Sequence, residues 1–177
     1  MRSSVMDWRV QGTLSPTDFI VQAYRGSQDV ANSPNLGWLD RIIQRARAEG
    51  RLVSRADVRP RLIGPRALPT VVIIDVEEAP RRYRLRLVGT ALVRLTGHDN
   101  TGRTFDELAE EHREANTFFI ETLDRLAARR RPLIFTGNLF YRDLEWVRYR
   151  CLACPVSEDG ERVDRVVAAV ELLPAAP

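Results

Sequence analysis

The first sustained hydrophobic pattern along the chain is a stripe at helical spacing in its N-terminal third. The stripe consists of Leu36, Leu39, Ile42, Ile43 and Ala46. It predicts one amphipathic helix over residues 34–49, with Ser33 as the N-cap and Pro34 at the first helical position. Such a stripe must cover apolar surface, and we favour the sheet of its own domain over a second protomer as that surface.

The segments on either side of this helix lack a regular pattern. Within residues 1–32 only Asp18–Tyr24 is able to form a short helix, so we interpret residues 1–32 as an arm. Residues 51–69 contain three prolines and one glycine at positions that interrupt any regular element. They predict a crossover that connects the helix to the rest of the chain.

After the crossover the pattern changes to that of β-strands. Thr70–Val76 is rich in β-branched residues, and Arg82–Gly89 alternates arginine with the apolar residues Tyr83, Leu85 and Leu87. This alternation predicts a strand whose apolar residues face inward and whose arginines face water. The short segment between the two strands predicts a hairpin.

Short helices follow the hairpin, and a longer helix follows them. We predict one helical piece over residues 91–95 and a second that begins at Thr104, where Glu107 completes a capping box. A longer helix is predicted over residues 111–130, ending before Pro132. Three strands then close the chain, over 133–141, 145–153 and 162–172, with turns at Arg142–Asp143 and Ser157–Gly160.

Charge and hydropathy exclude several classes of protein. The chain has 27 basic residues, all of them arginine, against 24 acidic residues, which leaves a net charge of +3. This excess is too small for the concentrated positive field of a nucleic-acid-binding protein, so we expect no nucleic acid partner. No apolar run approaches the roughly 18 residues that span a bilayer, and charged residues interrupt the N-terminus where a signal peptide is apolar. We therefore expect a cytoplasmic protein without a membrane partner.

The order of elements, two strands, several helices and three further strands, is that of the PAS fold. Individual residues strengthen the resemblance, because Arg84–Thr90 reads RLRLVGT and is followed by Gly97, Asp99, Thr101 and Gly102. This stretch resembles the PAS-like domain family of alphaproteobacteria, whose members are often small stand-alone proteins. The resemblance extends over most of the chain.

The resemblance implies an α+β fold, with a five-stranded antiparallel sheet, helices on one face and an N-terminal flanking helix. It divides the chain into an arm (1–32), a PAS-like domain (33–173) and a tail (174–177). The domain itself has a flanking helix and crossover over 33–69 and a core over 70–173.

The same resemblance implies a sensory or regulatory module in bacterial signalling. Such a module binds a small molecule between its sheet and its helices, or docks a partner protein, and it does not catalyse a reaction. A homodimer is the oligomeric state that we expect, and the interface candidates are Trp38, Leu39, Ile42, Ile43 and Ala46.

The side chains that alternation and helical spacing direct between sheet and long helix form the candidate ligand pocket. They are Tyr83, Leu85, Phe118, Phe119, Thr122, Phe135, Tyr149, Cys151 and Ala168. A buried tyrosine hydroxyl needs a hydrogen-bond partner, which is either a ligand or the protein's own backbone. The sequence leaves open whether these residues line a pocket or fill a closed core.

The opposite face of the sheet is predicted to be charged and solvated. It brings Arg84 and Arg86 of one strand next to Asp75 and Glu77 of the neighbouring strand, so we expect cross-strand ion pairs. An alternative function uses the same face, since clustered arginines bind phosphate bidentately and would make the protein an anion-binding adaptor.

The cysteines and histidines do not form a recognisable site. Cys151 and Cys154 lie three apart on a predicted strand and therefore point to opposite faces, which predicts neither a disulfide nor a metal site. In haem-binding PAS proteins an axial histidine lies on the long helix, where this chain has His112, and we expect no haem there. The flavin photosensors of this fold carry a reactive cysteine where this chain has Thr101, so we expect no flavin photochemistry.

A small cone-shaped α+β enzyme, an isomerase or a dehydratase, is the remaining alternative. Such an enzyme needs a buried acid and base inside its cavity. Alternation directs no carboxylate to the neighbourhood of Tyr149, and the chain lacks the common catalytic motifs. We therefore expect no catalytic residue and leave the cofactor, if the protein has one, unidentified.

Overall fold

The computed structural model describes residues 19–139 and 144–173. Residues 1–18 of the predicted arm, the predicted turn at Arg142–Asp143 and the tail 174–177 lie outside the described residues. The strands are β1 (Ile20–Ala23), β2 (Val71–Glu77), β3 (Arg82–Val88), β4 (Leu133–Leu139), β5 (Leu144–Val156) and β6 (Arg165–Leu173). The α-helices are α1 (Gly37–Ala48), α2 (Pro60–Ile63), α3 (Thr90–Thr96), α4 (Phe105–Glu111) and α5 (Arg113–Arg129).

The strands form one antiparallel sheet in the order β1-β4-β5-β6-β2-β3. The α+β class and the antiparallel sheet are confirmed, but the sheet has six described strands instead of five. The additional strand is β1, which pairs with β4 and sets Ile20 opposite Thr136. The short helix predicted over Asp18–Tyr24 is wrong, because the free edge of β4 supplies the backbone partners that hold this segment extended.

Both faces of the sheet are covered, which differs from the prediction of helices on one face only. The first layer is formed by α3, α4 and α5, and the second by α1 and the crossover. Strands buried on both faces need nearly continuous apolar runs, and β2 and β6 supply them as VVII and VVAAV. Two apolar cores therefore lie on opposite sides of one sheet.

Helix α1 packs on the sheet of its own chain, as favoured above, and this corrects the set of interface candidates. Trp38, Leu39, Ile43 and Ala46 are buried in the second core, and Ile42 is partly buried against it. These side chains are covered by the protein itself and do not form an exposed dimer face. The predicted cap is also wrong, since α1 begins at Gly37 after Leu36 and makes no side-chain cap hydrogen bond.

Charged side chains of the outer face pair with one another between neighbouring strands. The predicted cross-strand ion pairs are confirmed. They are Arg84–Glu77 at 2.5 Å, Arg86–Asp75 at 3.1 Å, Arg165–Asp75 at 2.7 Å and Arg150–Glu171 at 3.0 Å.

Within the described ranges, no helix combines the length and the apolar composition that crossing a membrane requires.

Candidate ligand-binding site

The helical layer over the first core is held by local polar contacts. Thr104 and Glu107 form the predicted capping box at the start of α4. At the junction of α4 and α5, the buried Asn116 amide donates to the carbonyls of Leu108 at 3.0 Å and His112 at 2.9 Å. These two hydrogen bonds join the first turn of α5 to the end of α4.

A cavity of about 190 Å³ lies between this helical layer and the sheet. Seven of the nine predicted pocket residues line it: Leu85, Phe119, Thr122, Phe135, Tyr149, Cys151 and Ala168. The strand residues among them alternate as predicted, so β3, β4, β5 and β6 each contribute to the floor. The arrangement is a pocket bounded by a sheet and a helix.

Tyr83 and Phe118, the other two predicted pocket residues, do not line the cavity. The Tyr83 hydroxyl donates to Asp124 Oδ1 at 2.5 Å and so joins β3 to α5. Burial, and then the hydrogen bond to Asp124, raise the pKa of Tyr83 above its usual range. Phe118 stacks on Phe19 with 4.2 Å between the ring centroids, next to the cavity wall.

The wall of the cavity is largely aromatic and aliphatic. The Phe119 ring lies 5.7 Å from Phe105 and 6.3 Å from Phe135, and Tyr149 meets Phe135 edge-on at 6.1 Å. Among the lining residues that the structure describes there is no aspartate, glutamate or arginine. The wall therefore offers mainly apolar contact surface.

Sequence reasoning missed the part of the wall that α3 and the following turn contribute. Leu92, Leu95, His98 and Asn100 line the cavity, and the three-residue spacing of the two leucines was the available signal. His98 and the lining residue Leu172 are exposed, so the cavity reaches the surface beside them.

The titratable side chains near the cavity do not assemble a metal site. The described residues include no group of three or more histidines, cysteines, aspartates or glutamates that is arranged to hold a metal ion. His112 lies between α4 and α5 and is one of the lining residues. Cys151 lines the cavity while Cys154 lies in the second core, which confirms that the two thiols point to opposite faces. Both thiols are free and buried, and burial raises the pKa of each.

The fold and the cavity place this chain among the α+β modules in which helices cover an antiparallel sheet. The family model of the PAS domain matches residues 38–171, and the chain belongs to that family. PAS domains are sensory and regulatory modules, and this chain is a module of that general kind. No curated protein and no solved structure matches this chain.

Proposed function

We propose that this protein is a non-catalytic sensory module of bacterial signalling that binds a small apolar molecule in the cavity between α5 and the sheet. The observation that carries the proposal is the cavity itself, since protein interiors otherwise contain few voids larger than a water molecule. An apolar cavity of about 150 Å³ is sufficient to bind benzene, and this one measures about 190 Å³. The volume matches a ligand slightly larger than benzene.

The same comparison argues against the large cofactors of the family. Drug-sized ligands occupy pockets of about 300 Å³ or more, and the ring systems of haem and flavin are much larger than benzene. We therefore propose neither haem nor flavin as the occupant of this cavity.

The N-terminal segment supplies a route by which occupancy is read out. Phe119 lines the cavity, and its ring lies 6.3 Å from that of Phe19, which directly precedes β1. At the other end of β1, the Tyr24 hydroxyl donates to Asp40 of α1. A ligand that binds more tightly when α5 is in one of two positions favours that position, and β1 and α1 then move together with α5. The receiver in this proposal is a cytoplasmic signalling protein or a second copy of the chain.

The arginines of the outer face give little support to the adaptor alternative. Arg84, Arg86, Arg150 and Arg165 are each within salt-bridge distance of a carboxylate of the chain. A phosphate group would have to displace these carboxylates before it bound.

A cavity-filling substitution tests the proposal. Ala168 is 6% exposed and lines the cavity, so Ala168→Leu places a larger side chain in the space that the ligand would occupy. We expect native mass spectra of the wild type to show a bound mass that disappears on denaturation, and the A168L spectra to lack it. A ligand present at about 100 times its Kd raises the melting temperature by about 5–10 °C, and this shift should also be lost.

Ala56→Leu is the matched control, because Ala56 is exposed on the crossover and receives the same added volume. It should retain both the bound mass and the melting shift. If the wild type shows no bound mass, and if no member of a panel of small apolar molecules raises its melting temperature, the cavity is not a ligand site and the proposal is wrong.

A further inference from the structure

Thr122 of α5 carries a buried hydroxyl group without a hydrogen-bond partner among the described residues. Its side chain is 4% exposed, and it lines the cavity. A threonine inside a helix commonly donates to the carbonyl four residues earlier, which Thr122 does not do. A buried polar group left unpaired costs about 1–3 kcal/mol, so a ligand that satisfies it gains a corresponding advantage.

Three other polar side chains of the cavity wall, those of Thr96, His98 and Asn116, already lie within hydrogen-bond distance of backbone carbonyls. Thr96 donates its hydroxyl to the Leu92 carbonyl at 3.0 Å, and the Asn116 amide donates to two backbone carbonyls. His98 Nδ1 lies 3.0 Å from the carbonyl oxygen of Thr96. Thr122 thus differs from these neighbours on the same cavity wall, because its hydroxyl remains available.

The surroundings of Thr122 specify the rest of the ligand. Phe105, Phe119 and Phe135 present aromatic rings to the cavity, and such rings favour stacked or edge-on contact with another flat ring. Two histidines line the cavity, but no arginine does among the residues that the structure describes, so the wall carries no permanent positive charge to pair with an ionised carboxylate, whose burial without such a partner is disfavoured. The matching ligand is flat, neutral and small.

We propose that Thr122 makes this cavity selective for a neutral aromatic molecule of about the size of phenol or indole that carries one hydrogen-bonding group. The hydroxyl of Thr122 both donates and accepts, so it pairs with a phenolic O–H or an indole N–H. The inference rests on the proposed function, since it takes the cavity as the binding site, and it adds the chemical class of the ligand and the residue that selects it.

Phenol and toluene are the probes that test this inference, because they have nearly the same shape and differ in the hydroxyl group. Calorimetric titration of the full chain gives the ratio of the two dissociation constants. In Thr122→Val the ratio should move about tenfold towards toluene relative to the wild type. Thr96→Val removes a hydroxyl that already has a partner, and it should leave the ratio within about twofold of the wild-type value.

Stability supplies a second readout that does not depend on the ligand. Replacing an unpaired buried hydroxyl with a methyl group of similar shape is neutral or stabilising, so T122V should melt at or above the wild-type temperature. A drop of several degrees would show that the hydroxyl has a partner in the protein, and it would overturn the inference.

The binding outcomes separate the inference from the proposed function. If both probes bind and T122V leaves their ratio unchanged, Thr122 does not select the ligand, although the cavity remains a binding site. If the wild type binds neither probe yet carries another bound mass that A168L loses, the proposed chemical class is wrong and the binding site stands. If no probe and no bound mass is found, both proposals fail.

Discussion

Single polar side chains connect the layers of this protein at positions that look unremarkable in the sequence. Tyr83 joins β3 to α5 through Asp124, and Tyr24 joins the end of β1 to α1 through Asp40. Gln44 donates to the Tyr24 hydroxyl at 2.8 Å, and the guanidinium of Arg47 lies 4.9 Å from the centre of the Tyr24 ring. The N-terminal segment is therefore held to the domain by its polar groups as well as by β-pairing.

Asp57 plays a comparable part in the crossover. Its carboxylate accepts hydrogen bonds from both terminal nitrogens of Arg51, at 2.6 and 3.1 Å. It also accepts hydrogen bonds from the backbone N–H and the side-chain hydroxyl of Ser54, both at 2.8 Å. The hydrogen bond from Arg51 is the main cause that lowers the pKa of Asp57 to about 2. This value lies below the unfolded-state pKa of about 3.9. The ionised Asp57 carboxylate therefore stabilises the fold fully above about pH 3.9, and this stabilisation is lost as the pH falls through about 2.

We therefore predict a pH-dependent effect of Asp57→Asn. Urea denaturation at pH 7 should show a loss of about 1 kcal/mol, a modest value because the Arg51 side chain is 37% exposed, and the loss should vanish near pH 2. Glu49→Gln is the control, since Glu49 binds the same arginine from a side chain that is 50% exposed. Glu49→Gln should lower the free energy of unfolding by less than about 0.5 kcal/mol. Equal losses of stability in the two variants would contradict the role given to Asp57.

Among the elements, β1 depends on the rest of the fold more than any other described strand. It has four residues and pairs with β4 alone, and Phe19 just before it enters the aromatic cluster beside the cavity. The family match begins at residue 38, so β1 lies outside the matched region. β1 is therefore an addition to the matched region at the edge of this sheet.

Gly137 of β4 makes room for this addition. A Cβ atom at this position would lie 2.3 Å from Phe19 Cε1, which is far closer than van der Waals contact allows. We predict that Gly137→Ala expels Phe19, at a cost of about 1–3 kcal/mol, and speeds hydrogen exchange of the β1 amides while the β2 and β6 amides stay protected.

Thr136→Val is the control for this prediction, because residue 136 lies on the other face of β4, opposite Ile20. The variant should leave the exchange of β1 unchanged. Unchanged exchange in G137A as well would mean that the ring of Phe19 is free to move aside and that it does not hold β1 in place.

A bulge in the pairing of β2 with β3 explains why strict alternation fails along β3. Alternation directs Tyr83, Leu85 and Leu87 to one face, yet Leu87 packs with the second core. The register of β3 shifts opposite Ile73 and Ile74, so that Leu87 faces Ile73 while Leu85 faces Ile74. A bulge of this kind inserts a residue without a cross-strand partner and turns the following side chains over.

At the scale of the whole molecule, the protein has three layers, with α1 as much a part of the core as α5. Leu39 is fully buried in the second core, where α1 covers the middle of the sheet. We predict that Leu39→Ala costs about 2–5 kcal/mol and that its unfolding midpoint does not depend on protein concentration.

Leu62→Ala is the matched control, because Leu62 is 58% exposed on α2 and its truncation should change stability by less than about 0.5 kcal/mol. If α1 were instead held by a partner subunit, dilution would lower the unfolding midpoint of the wild type. The difference in unfolding midpoint between the wild type and L39A would then become smaller. That result would restore the stripe on α1 as a dimer interface.

Elements whose causes are local could be predicted from the residue pattern alone. The strands β2 to β6, the capping box of Thr104 and Glu107, and the ion pairs between neighbouring strands follow from periodicity, from side-chain spacing and from the charges of adjacent residues. Much of the cavity floor could also be predicted, because alternation along β4, β5 and β6 directs Phe135, Tyr149 and Ala168 to one face.

Features that depend on residues distant in the chain could not be predicted in this way, because they form only when the layers pack together. Ile20–Ala23 became a strand because β4 had a free edge, and α1 covered its own sheet because the crossover carried it to the face that α5 leaves open. The volume of the cavity is the volume that the layers enclose minus the volume that the side chains between them fill. The local pattern names residues on its walls, but the volume between them exists only after the layers are assembled.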